Sequence, residues 1–211
     1  MFAENLNTFI DWFQRFHETR IKWAIIDPDI YIIDESGNAI GIEQKLNVIL
    51  SNEKKEAFAK QDENREWATM IECIRVINGD IPPFLIIKGK YILKDFAELI
   101  RQSRVTLVYS DNGWSNDVLG LEWLKHFNKW IRRVTVGGYR LLIFDGHGSY
   151  ATFAFKEYAK ENNIVLFYLS PYFIHRLQPL DIAIFGLLST YYSELMNENN
   201  RYNRISISKR K

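Results

Sequence analysis

The chain has a single cysteine, Cys73, among its 211 residues. No internal disulfide can form, so the fold must rest on its apolar core, and a reducing compartment is the expected setting. Cys73 sits inside Met70-Ile71-Glu72-Cys73-Ile74, an apolar run that favours a buried structural thiol over a nucleophile. Four histidines and that one thiol offer no zinc-ligand spacing. No apolar run nears the ~18–20 residues that span a bilayer. The first residues, Met1-Phe2-Ala3-Glu4-Asn5, lack the basic leader of a secretion signal. A soluble intracellular protein with no membrane partner is therefore expected. Charge of one sign is also lacking: 27 basic and 26 acidic side chains leave a net +1, so composition does not advertise a nucleic-acid binder. The exception is the stretch from Asn199 to Lys211, with Arg201, Arg204, Lys209, Arg210 and Lys211 and no acid. Such a stretch can contact phosphates, act as an import signal, or be a solvated, frayed end.

What is present is an ordinary globular composition, 47% hydrophobic and 25% charged, on a chain long enough for a full core. No repeat, low-complexity tract or internal linker divides it, and one domain is expected. Residues 4–24 place Leu6, Phe9, Ile10, Phe13, Phe16 and His17 at helical spacing, an amphipathic helix that Asp27-Pro28-Asp29 ends. Ile30 to Asp34 reads as a strand, with Ala39 to Glu43 as a hairpin partner beyond Gly37-Asn38. Polar residues 51–65 read as a surface excursion. Strands are expected at Trp67–Ile77, Phe84–Ile87 and Val105–Tyr109. Ser115 is the expected cap of a helix striped by Leu119, Trp123, Phe127, Trp130 and Ile131. Gly137-Gly138 then turns the chain into another strand.

That strand, Leu141-Leu142-Ile143-Phe144, reads as buried on both faces. Asp145 follows it, then Gly146-His147-Gly148, with Ser149 as a cap for a helix over 150–162. Gly146 and Gly148 do not make a phosphate loop, since the Lys-Ser/Thr of that motif is absent. A second fully buried strand is expected at Ile164–Leu169. Pro179 then opens a last helix whose buried face is Leu180, Ile184, Leu187, Leu188, Tyr191 and Leu195. In α/β sheets ligand chemistry collects at the carboxyl ends of strands. Asp34 and Asp145 occupy such ends, and Asp181 falls in the first turn of the last helix. Carboxylates so placed are what a site clamping two divalent ions requires. The competing readings are local: a turn residue for Asp34 and Asp145, and a helix-dipole partner for Asp181.

Six stretches carry a resemblance. In order they are Asp34-Glu35-Ser36-Gly37, Arg65 to Glu72, Pro82 to Gly89, Asn112 to Asn116, Asp145 to Ser149 and Leu177 to Asp181. Together they resemble the DDE-superfamily endonuclease domain of pogo-like transposases in the Tc1/mariner group, shared with centromere protein B and jerky-type proteins. The resemblance spans roughly residues 4–205 and implies an α/β, RNase-H-like fold, a mixed five-stranded sheet flanked by helices. It divides the chain into a helical lead-in, 1–28, and a catalytic domain, 29–211, that stops short of its relatives' C-terminal end. It also implies DNA as partner, Mg²⁺ or Mn²⁺ as cofactor, nuclear action and a possible homodimer. Asp34, Asp145 and Asp181 match the family's three metal-binding catalytic acids, the third being Asp in this branch. His147 and His175 are candidates for supporting contacts around the metals, and Glu35 is expected to be an oriented neighbour or a surface residue rather than a ligand. The chain departs from the family at Tyr150, often His, at Pro171-Tyr172-Phe173-Ile174-His175, and at Arg176, usually apolar. The family's helix-turn-helix DNA-binding region is absent from this chain. The alternative reading is a domain that no longer cuts and serves DNA association or dimerisation. Trp114, in an expected loop, is the tryptophan placed to stack on a base, with burial as the competing reading.

Overall fold

A computed structural model describes residues 2–40, 66–77, 81–90, 104–145, 150, 152–169, 179, 180 and 190. Helix α1 (Phe2–Lys22) leads through a 3₁₀ turn (Asp27–Asp29) into β1 (Ile30–Ile40). Strands β2 (Glu66–Arg75), β3 (Phe84–Lys88) and β4 (Thr106–Ser110) follow. Helix α2 (Asp117–Ile131), β5 (Arg140–Phe144), α3 (Phe153–Glu161) and β6 (Ile164–Tyr168) complete the order. The sheet has six strands, in the order β4-β3-β2-β1-β5-β6. The expected count was five. Strand β4, the one expected at Val105–Tyr109, pairs parallel to β3 rather than joining an antiparallel run, and so covers the backbone edge that β3 would otherwise expose.

Two cores lie on opposite faces of the sheet. On one, α2 and α3 bury Trp123, Leu124, Phe127, Ile131, Phe155 and Ala159 against Tyr31, Ile33, Ile71, Phe84, Leu142 and Phe144. On the other, α1 packs Trp12 with Ile25 against Ile30, Leu141, Ile143 and Leu169. The expected stripe on α1 is rotated. Ile10 and Phe13 are 55% and 42% exposed, while Trp12 is 5% exposed. Trp12 prevails because it offers the largest apolar area and a polar handle. Its ring stacks on Phe16 and meets Phe167 edge-on, and its indole N–H donates to the Tyr168 carbonyl at 2.9 Å.

Three further expectations are corrected. No turn occurs at Gly37-Asn38, because β1 continues through both residues, with Gly37 opposite Thr69 and Asn38 opposite Ala68. Glycine stands there for space: a Cβ on Gly37 would lie 2.5 Å from the Trp67 ring. The caps also move. Asn116, not Ser115, opens α2, its side chain accepting from the Val118 and Leu119 amides at 3.1 and 3.0 Å. Thr152 opens α3, accepting from the Phe155 amide at 3.2 Å, where Ser149 was expected. Strand β6 is half-buried rather than fully buried because it forms the sheet's outer edge. The 51–65 excursion, Gly41 to Glu43, Ser149 and most of the last helix lie outside the described residues.

Asp29 aligns the start of β1 with the segment before β5. It is fully buried and accepts from the Val136 amide at 3.1 Å and the Gly137 amide at 2.5 Å, with the Arg75 guanidinium 3.9 Å away. Gly137 is needed there, since a Cβ would stand 2.9 Å from the carboxylate. Elsewhere, His126 bridges α2 to the β3–β4 edge. Its Nε2 lies 2.9 Å from the Pro82 carbonyl and its Nδ1 3.2 Å from the Thr106 hydroxyl. That pattern suits a neutral ring with its proton on Nε2. Burial holds its pKa below the ordinary 6.5, against the opposing pull of the Pro82 carbonyl, while nearby Lys129 lowers it further.

Two outcomes follow. Asp29→Ala is expected to cost about 1.5–3 kcal/mol in denaturant unfolding, because the charge-assisted hydrogen bonds from two amides are lost. For His126 the unfolded chain takes up the proton first. Stability is therefore complete above its ordinary value, 6.5, and declines as the pH falls toward the lower folded value. Unfolding midpoints measured across that window for the protein and for His126→Gln should converge as the pH drops.

Candidate active site

Strand β5 returns beside β1 in parallel, Ile30 against Leu141, Tyr31 against Leu142 and Ile32 against Ile143. Two residues beyond the last pair, each strand carries an aspartate: Asp34 on β1 and Asp145 just past β5. Side chains alternate along a strand, so Asp34 shares the face of Ile30 and Ile32, and Asp145 continues that of Leu141 and Ile143. The two acids thus come to the same face of neighbouring strands. Asp34 is 9% exposed, and one of its oxygens accepts from the Glu35 amide at 2.8 Å. Asp145 is half-buried.

A third carboxylate belongs to this face. Glu72 on β2 lies directly opposite Asp34 and is half-buried. Directly opposed residues of an antiparallel pair hold their Cβ atoms about 4.5–5.5 Å apart, and like charges so placed repel. The signal for Glu72 in the sequence was its isolation, one acid inside the apolar run Met70–Ile74. Hard carboxylate oxygens are the ligand type that suits Mg²⁺ or Mn²⁺, and Asp34 and Asp145 offer them from adjacent strands. Asp181, His147 and His175 lie outside the described residues, as do the departures at Pro171 to His175 and at Arg176. Leu180, the neighbour of Asp181, is fully buried. Among the described residues, no three His, Cys, Asp or Glu side chains form a cluster able to hold an ion.

The other face of β1 is organised by Glu35. Its carboxylate accepts from the Ser115 hydroxyl at 2.8 Å and from the Tyr150 phenol. Glu35 is thus an oriented neighbour, tying β1 to the loop before α2 and to the segment after β5. Ser115, expected as a helix cap, gives its hydroxyl to this acid instead. Tyr150, where the family often has His, is 2% exposed and packs its ring against Trp123, Phe144 and Phe155. Burial raises its pKa well above the ordinary value, and the charge and hydrogen bond of Glu35 add to that. Asp145 and Asp34 raise it further, so one phenol feels all three acids. It remains a donor throughout the physiological range.

Asp34, expected at a strand end, lies inside β1, which runs on to Ile40 beyond its pairing with β5. An α/β sheet of this topology, with acids just past the paired stretch of adjacent parallel strands, has the RNase-H-like fold. Residues 64–211 match the family described as DDE superfamily endonuclease, and the chain belongs to that family. A protein of Cochliobolus lunatus named MFS-type transporter clz9 is 40% identical over 184 residues, 87% of this chain but 20% of that protein. No helix among the described residues is long and apolar enough to cross a membrane. The Mos1 strand transfer complex superposes with a TM-score of 0.55 at 13% identity, covering 84% of this chain and 45% of that one. The Mos1 paired-end complex with the left transposon end gives 0.54 at 14%, covering 89% and 51%. The Mos1 mariner paired-end complex with Mn gives 0.51 at 10%, covering 87% and 52%. The chain therefore spans about a fifth of that curated relative and about half of the Mos1 chains.

Tyr150→Phe removes one of the two hydroxyls that hold Glu35. It is expected to destabilise the domain by about 1.5–3 kcal/mol, the range for a hydrogen bond to a charged group, as measured by denaturant unfolding.

Proposed function

We propose that this domain is a transposase-type DNA endonuclease that cleaves phosphodiester bonds through metal ions held by Asp34, Asp145 and Asp181. The observation that carries the reading is the placement of Asp34 and Asp145 on one face of two adjacent parallel strands, each two residues beyond their last paired position. Membership of the DDE superfamily endonucleases supports the reaction class. Structures named as Mos1 complexes with Mn and with Mg share the fold and support a divalent ion. Residues 29–211 are the catalytic unit in this reading and 1–28 its helical lead-in. The basic stretch after Asn199 suits a protein that works on DNA in the nucleus.

When bound, the ions would activate the attacking oxygen and stabilise the leaving one. The protein's own part is positional. Asp34 and Asp145 present oxygen ligands from a rigid sheet, and the Glu35 amide fixes one Asp34 oxygen. Glu72 adds negative charge opposite Asp34, which strengthens the attraction for a divalent cation. The Glu35 carboxylate holds the two flanking segments through Ser115 and Tyr150.

Supercoiled plasmid incubated with the protein and Mg²⁺ or Mn²⁺ should be nicked. Asp34→Ala, Asp145→Ala and Asp181→Ala should each abolish nicking while leaving the far-ultraviolet dichroism unchanged. Calorimetric Mn²⁺ titration should lose its binding heat in Asp145→Ala. Nicking at wild-type rates by all three variants, or no Mn²⁺ binding at millimolar concentration, would discard the assignment.

A further inference from the structure

Trp114 was expected to be either buried or a base-stacking residue, and it is 49% exposed. Its ring stacks on Trp67, with centroids 4.6 Å apart and planes 18° from parallel. The backbone beneath it is anchored. Its amide donates to the Asn112 side chain at 3.0 Å, and the Gly113 carbonyl before it accepts from the buried Thr69 hydroxyl at 2.8 Å. Ser115 after it is bonded to Glu35. Gly113 has a φ of +80°, and a Cβ there would sit 2.1 Å from the Trp67 carbonyl oxygen, so the loop's close approach requires glycine. An indole is thus held rigidly with a large part of its surface in water, where an apolar ring gains nothing from exposure.

The platform stands on the Glu35 face of β1, across the sheet from Asp34 and Glu72. Gly37, over which the Trp67 ring lies, is two residues beyond Glu35 on the same face of β1, a step of about 7 Å. Lysines flank it as well. The β2–β3 register, with Ala68 opposite Ile87, brings Lys88 opposite Trp67, and Lys90 follows one residue past the Gly89 turn. Both lysines are exposed, and among the described residues neither pairs with a carboxylate. Asp111 is the acid of the same loop and is also exposed. A rigid exposed ring beside cationic side chains is the arrangement that receives single-stranded nucleic acid, the ring stacking a base and the cations following phosphates.

We propose that Trp114, supported by Trp67, is a stacking platform for an unpaired base of single-stranded DNA, with Lys88 and Lys90 contacting its phosphates. The proposal rests on the DNA-endonuclease reading for the identity of its ligand. Such a base would have left the duplex stack before reaching the ring.

The test is binding of a fluorescein-labelled oligothymidine by the full chain in EDTA, followed by anisotropy and tryptophan quenching, where cleavage plays no part. Trp114→Leu, which keeps apolar bulk without a π-face, should weaken binding roughly 5- to 150-fold. Trp114→Phe should retain most of the affinity, and Lys88→Gln should lower the salt dependence. Thermal melting of each variant establishes that it is folded. Equal affinity for the protein and a folded Trp114→Leu variant overturns the proposal, as does an equal loss in Trp114→Phe or the absence of wild-type binding. Nicking is assayed in parallel. Intact nicking with affinity independent of Trp114 discards the platform alone, whereas ring-dependent binding without nicking discards the cleavage reading and keeps the platform.

Discussion

The parallel pairing of β1 with β5 is the constraint on which the rest of the domain depends. Parallel neighbours cannot be joined by a tight turn, so the chain must lay down β2, β3, β4 and α2 before β5 can return. Their shared centre also has to be covered on both faces, which is the work of α1 on one side and of α2 with α3 on the other. Asp29 ties the beginnings of the two strands together by accepting amides from the segment that leads into β5. A slip of one residue in this pairing would send Asp145 to the opposite face from Asp34. Burying a carboxylate to hold the register is a cost that the shared face of the acids makes intelligible.

Alternation along β1 assigns different work to two adjacent acids. Asp34 points to the face it shares with Glu72 and Asp145, and Glu35 to the opposite face, where it is held by Ser115 and Tyr150. The Tyr150 departure from the family pattern is thus accommodated: the phenol fills a buried aromatic niche and keeps its proton for Glu35. The loop carrying Ser115 also carries Trp114, so the anchoring of Glu35 and the presentation of the exposed indole are mechanically linked. Gly37 and Gly113 serve the same assembly, each leaving room that the Trp67 side chain or backbone occupies.

Much of this was legible from the residues alone. Short stretches rich in apolar residues located all six strands, β4 included, and the 3.6-residue stripe of α2 emerged with Trp123, Phe127 and Ile131 buried as expected. Where local signals misled, a longer-range contact had prevailed. Gly37-Asn38 has the composition of a hairpin turn, but Trp67 needs the space above Gly37. Ser115 has the composition of a helix cap, but Glu35 claims its hydroxyl. The face of α1 could not be read because its apolar residues outnumber one stripe, and the contact of Trp12 with Tyr168, far along the chain, selected among them.

Hydrophobic periodicity and turn chemistry are properties of neighbouring residues, so the sequence by itself determined the element types, their order and the apolar runs that Asp34 and Asp145 follow. Which strands pair, in which direction and in what register depends on burial summed over the whole sheet. Only the tertiary structure could therefore decide that those two aspartates share a face, that Glu72 stands opposite one of them, and that Trp114 remains open to solvent. Proximity between distant side chains is created when the core closes, and no short stretch of chain contains it.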